Sequence, residues 1–100
     1  MLVKMVEFGT VLGTRVAGRE AYRVIMNRTG FLSEAVVFDF SGVSTITNSF
    51  ADEVFGRMVA DMGMDSMRRR TSFKNIDGVW AMVVRRAMDA HAEEASTAMV

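Results

Sequence analysis

The chain has 100 residues, half of them hydrophobic and about a quarter charged, which is the make-up of one folded domain with a single modest core. Twelve basic and 12 acidic residues cancel, so no strong field draws in nucleic acid or an anionic membrane surface. Cysteine is absent and His91 is the single histidine, which excludes disulfides, thiolate chemistry, zinc–thiolate sites and a histidine-built metal cluster.

No apolar run reaches the roughly 18 residues that cross a bilayer, and the opening Met1-Leu2-Val3-Lys4-Met5 has no basic leader, so a soluble protein of the cytoplasm is expected. Leu2 to Phe8 is apolar with Lys4 and Glu7 interspersed, the pattern of a strand with one better-buried face. Gly9 to Thr14 reads as a turn region in which Val11 and Leu12 could pair in a hairpin. From Arg15 the period becomes helical, with Ala17, Ala21, Val24, Ile25 and Arg28 on one face, Thr14 as N-cap and Thr29-Gly30 as the stop.

The uninterrupted run Ala35-Val36-Val37-Phe38-Asp39-Phe40 predicts a central strand covered on both faces, ended by Ser41-Gly42. Phe50, Val54, Met58 and Met62 then mark a second helix, with Ser49 and Asp52 imitating a capping box and Asn48 as the rival cap. Gly63 ends that helix, and Asp65 to Arg70 is a polar connection. Thr71 to Ile76 reads as a short strand, and Asp77 caps a third helix with Val79, Trp80, Val83, Val84, Ala87 and Met88 on its apolar face. Residues 1–90 form the domain, and residues 91–100 read as a frayed tail. The alternation predicts a small α/β fold with a mixed or mostly parallel sheet of three to five strands.

Ligands and partners of an open α/β sheet meet the carboxyl ends of its strands. The segment there is rich in small polar side chains: Ser44, Thr45, Thr47, Asn48 and Ser49, followed by Asp52 and Glu53. A helix start favours an anion through its unsatisfied N–H groups and its dipole, so a phosphate on Ser49 or Thr47 would gain there, while Asp52 and Glu53 would repel it. Capping alone also accounts for Ser49 or Asn48.

Phe38-Asp39-Phe40-Ser41-Gly42-Val43, followed by Ile46 and by Asn48-Ser49-Phe50-Ala51-Asp52-Glu53-Val54-Phe55, resembles the STAS-like domain of unknown function. That group is related to STAS domains, which include the anti-sigma-factor antagonists. The likeness extends to the Gly13-Thr14-Arg15 start of the first helix. It implies a STAS-like fold and a non-enzymatic bacterial regulatory module without a cofactor. The implied partner is another protein, a histidine-kinase-type ATPase on a separate chain, which phosphorylates a serine at the start of this helix in classical antagonists. Those members read Asp-Ser-Ser-Gly where this chain reads Thr47-Asn48-Ser49-Phe50, so Asn48 occupies the usual acceptor position and Ser49 follows it.

Other chemistry is weaker on the residues. Gly9, Gly13 and Gly18 match neither phosphate-loop spacing. Asp52 and Glu53 diverge as helical neighbours, and Asp39 is better satisfied by nearby backbone N–H groups than by a magnesium ion. Arg68-Arg69-Arg70 lacks the interleaved aromatics of a nucleic-acid site and reads as a solvated face or a rim for an acidic partner. Three functions follow: a protein-interaction module centred on residues 44–53, a phosphate or nucleotide binder or enzyme using the same helix start, and a homodimer through the methionine-rich second or third helix.

Overall fold

The computed structural model describes residues 1–98. Three short strands, β1 (Leu2–Lys4), β3 (Val36–Asp39) and β5 (Thr71–Lys74), form a parallel sheet in the order β1-β3-β5. Each strand lies next to the one before it, always in the same direction across the sheet. Right-handed crossovers then put every connecting helix on one face.

The burial pattern follows from that rule. Val3, Phe38 and Phe73 share a register row and face the helices, with Val3 and Phe38 fully buried. The neighbouring rows, Leu2–Val37–Ser72 and Lys4–Asp39–Lys74, point to the opposite side. There Lys4, Ser72 and Lys74 are exposed and Leu2 is 46% exposed. The expected cover on both faces of the central strand is therefore corrected to cover on one face. A three-strand sheet wound in one direction leaves its other side open, and Val37 is only half-buried.

β1 is shorter than the apolar run around it, because Met5–Phe8 turns into a 3-10 helix. Val11 and Leu12 do pair, as β2 (Val11–Leu12), but in parallel with the distant β4 (Thr45–Ile46) rather than in a local hairpin. Helix α1 (Arg15–Arg28) starts at Thr14, whose Oγ1 accepts the Ala17 N–H at 3.0 Å.

A composite helix spans residues 48–62: α2 (Asn48–Ala51), a π-helical turn (Asp52–Gly56) and α3 (Arg57–Met62). It packs against α1 on one side and α5 (Gly78–Ala98) on the other. Val54, Phe55 and Gly56 are all buried in succession, a wide arc that suits a helix enclosed by two others and the sheet. Phe55 meets Phe38 edge-on at 5.2 Å between ring centroids and Phe73 at 5.3 Å, and Phe40 completes the aromatic cluster. Each such pair adds about 0.5–1.5 kcal/mol beyond area burial.

Two segments depart from the sequence reading. Residues 64–70 form a helix, α4 (Met64–Arg70), which buries Met67 in the core. Helix α5 continues past residue 91, where a frayed tail was expected, because His91 bonds to the composite helix and Ala92 packs on the core. Residues 99–100 of that tail lie outside the described residues. Val79, expected on the apolar face of α5, is 60% exposed.

Candidate functional site

The polar corner begins where β3 ends. The Asp39 carboxylate accepts the Ser41 N–H and the Asn75 side-chain amide, both at 3.0 Å, and these bonds, Asn75 first, hold its pKa below the ordinary value. The expected backbone donor to Asp39 is present. The chain turns through Val43, whose N–H reaches the Phe40 carbonyl, and is then tied to the segment before α1. The Ser44 and Thr47 N–H groups donate to the carbonyls of Thr10 and Leu12, and Ser44 Oγ donates to the Thr10 carbonyl at 3.0 Å.

Thr47, not Ser49 or Asn48, caps the composite helix. Its Oγ1 accepts the Phe50 N–H at 3.2 Å and donates to the Gly13 carbonyl at 2.8 Å. One hydroxyl thus closes the helix start and fastens it to the β2 side of the domain. Relieved of capping, Asn48 is exposed and Ser49 half-exposed, and neither side chain makes a hydrogen bond among the described residues. Thr45 lies half-buried in β4.

Asp52 and Glu53 open the π-helical turn. One guanidinium nitrogen, Arg15 Nη1, reaches Asp52 Oδ2 at 2.8 Å and Glu53 Oε1 at 3.2 Å, and Arg19 stands 3.8 Å from Glu53. The divergence of the two neighbouring carboxylates is bridged by a long side chain from α1. From the other flank, His91 Nε2 lies 2.6 Å from Asp52 Oδ1. A carboxylate only accepts, so the proton of this bond sits on Nε2. Burial pushes the Asp52 carboxyl upward, but the bonds from Arg15 and His91 outweigh it and hold the pKa below the ordinary value.

This arrangement needs two close approaches. A Cβ on Gly18 would lie 2.8 Å from Glu53 Cβ and 3.2 Å from the Phe50 carbonyl oxygen, so glycine lets α1 touch the composite helix. A Cβ on Gly56 would lie 2.5 Å from the His91 ring and 3.2 Å from the Ala87 carbonyl oxygen. Glycine there lets α5 come near enough for His91 to reach Asp52.

Above the network is a hollow of about 310 Å³ lined by Arg15, Asn48, Asp52, Arg86 and Ala87. Among the described residues no group of three or more histidines or carboxylates could hold a metal ion, and no helix is long and apolar enough to cross a membrane. Asp39 belongs to a separate network from Asp52 and Glu53.

Residues 25–79, more than half of the chain and inclusive of this corner, match the family described as a STAS-like domain of unknown function (DUF4325). The chain belongs to that family. No curated protein and no solved structure matches it. In this STAS-like domain the matched stretch holds every sequence-predicted site residue: Ser44, Thr45, Thr47, Asn48, Ser49, Asp52 and Glu53. The structure leaves Asn48 and Ser49 outward and unbonded, ties the exposed Ser44 to the Thr10 carbonyl, sets Thr45 in β4, and gives Thr47, Asp52 and Glu53 a bracing role. Arg15, Arg86 and His91 were missed by the sequence reading and lie outside the matched stretch. The unshared charge of Arg15 at a helix start was the one signal that pointed to an acidic partner nearby.

Proposed function

We propose that this STAS-like domain is a non-enzymatic bacterial regulatory module that docks another protein on the corner at residues 44–53, the partner being a separate histidine-kinase-type ATPase or a similar regulator. What supports this reading most is the pair Asn48 and Ser49: polar groups left uncommitted on a first helical turn whose base is fixed by Thr47, Arg15 and His91. Exposed polar groups on a rigid support suit recognition, because little order has to be bought on binding.

Ser49 is the proposed phosphoacceptor. Asp52 and Glu53, expected from the sequence to repel a phosphate, are already neutralised by Arg15 and Arg19. A phosphate there would add about −1.5 to −2 charge to the docking surface and so switch the partner's affinity.

Capture from native extract tests the reading. The unmodified chain should retain a regulator that Ser44→Arg/Asn48→Arg loses, and Ser49→Asp should shift capture where Ser49→Ala does not. Equal capture by all forms overturns it. A second reading draws on the hollow of about 310 Å³, where Arg86, beside the already paired Arg15, suits a phosphate or nucleotide. A nucleotide at a hundred times its Kd would stabilise the fold by about 2.7 kcal/mol, so a thermal-shift panel separates the two readings.

A further inference from the structure

The sheet has an open edge at β5, which among the described residues pairs only with β3. The Lys74 carbonyl turns inward to accept the Phe40 N–H. Strand alternation therefore turns the N–H and C=O of Phe73 outward, to the unpaired edge. An unpaired edge in a parallel sheet is a template for another strand.

Beside this edge lies a hollow of about 550 Å³ between α4 and α5. Its floor and walls are apolar, from Met64, Phe73, Ile76, Val84 and Met88. The groove exposes the flank of the aromatic cluster, since Phe73 stacks on Phe38 at 5.7 Å yet remains only half-buried. Arg68 and Arg85 line the same groove, and neither has an ion-pair or hydrogen-bond partner among the described residues. Asp89 offsets only one of these two charges.

We propose that this groove receives an extended segment of a partner protein, which adds to β5 as a fourth strand. Its apolar side chains, at alternate positions, fill the hollow and cover Phe73, and an acidic residue meets Arg68 and Arg85. Main-chain bonds supply affinity in such additions, and side-chain pockets supply specificity. A second copy of this chain is the poorer occupant. Two β5 edges would pair antiparallel about a twofold axis, and the strand so added, Thr71–Lys74, carries no carboxylate to meet Arg68 and Arg85. The surface is separate from the corner at residues 44–53, so the two proposals stand or fall independently.

The test is selection of a displayed library of random peptides, about ten residues long, on the full chain. Enriched peptides should alternate apolar residues and carry Asp or Glu. A synthetic copy should slow hydrogen exchange at the Phe73 amide and lose about tenfold or more in affinity to Arg68→Glu/Arg85→Glu. Both arginines are exposed, so an unchanged circular dichroism spectrum shows that the variant still folds. Asn48→Arg should leave the affinity unaltered. Absence of enrichment, binding indifferent to the double variant, or a dimer of the unliganded chain with Phe73 already protected would each overturn the proposal.

Discussion

Gly56→Ala should destabilise the domain, although the same change in an ordinary exposed helix stabilises it. Removing a helical glycine is worth about 1 kcal/mol in favour of alanine. Against this, the new methyl carbon would sit 2.5 Å from the His91 ring and 3.2 Å from the Ala87 carbonyl oxygen. Inserting a methyl into such a site costs about 1–3 kcal/mol through displaced neighbours. Moving the His91 ring also breaks its bond to Asp52, which adds roughly 1 kcal/mol. The net loss is about 1–3 kcal/mol, which lowers Tm by roughly 4–8 °C per kcal/mol in a domain of this size. Thermal unfolding followed by circular dichroism measures it. A double-mutant cycle with His91→Ala isolates the cause: Gly56→Ala should cost less once the ring is gone, because the two nearest contacts, at 2.5 and 2.8 Å, both belong to that ring. A Gly56→Ala variant as stable as the parent, or a cycle without coupling, refutes the close approach of α5.

Thr47→Ala should cost about 0.5–2 kcal/mol by loss of the cap, whereas Asn48→Ala and Ser49→Ala stay near the parent in urea unfolding. Equal effects at the three positions would contradict the capping assignment. Asp39 and Asp52 both have pKa values held below ordinary, so their stabilisation is present above the unfolded value of about 4 and is lost as pH falls through the folded values. Unfolding followed between pH 7 and 2 should therefore show stability falling at the acid end, and more shallowly in Asp39→Asn and Asp52→Asn. An unchanged slope in both variants would remove these carboxylates from the account.

Much of this architecture is legible in the sequence because it rests on local periodicity. The apolar spacing of α1, of the composite helix and of α5, and the strand run ending at Asp39, need no tertiary information to be seen. The cap was not legible, since Thr47, Asn48 and Ser49 are three suitable residues in a row. A tertiary bond to the Gly13 carbonyl selects among them. The parallel pairing of Val11–Leu12 with Thr45–Ile46 joins two-residue strands far apart in the chain, which no window detects. Helix α4 looks like a polar connection in the sequence because a single residue, Met67, carries its burial. The partners of Asp52 lie 37 and 39 residues away, so the network binding α1, the π-helical turn and α5 emerges only on folding. The open sheet face followed from strand order and handedness together, and strand order is what the sequence withheld.

The central claim is that the first turn of the composite helix meets a partner protein. A photo-crosslinking amino acid placed at Asn48, and in a parallel sample at the exposed Glu34 on the amino side of β3, tests it most directly in native extract. The account predicts a discrete crosslinked species from position 48 and none from position 34. Crosslinks from position 34 with none from position 48 would contradict it.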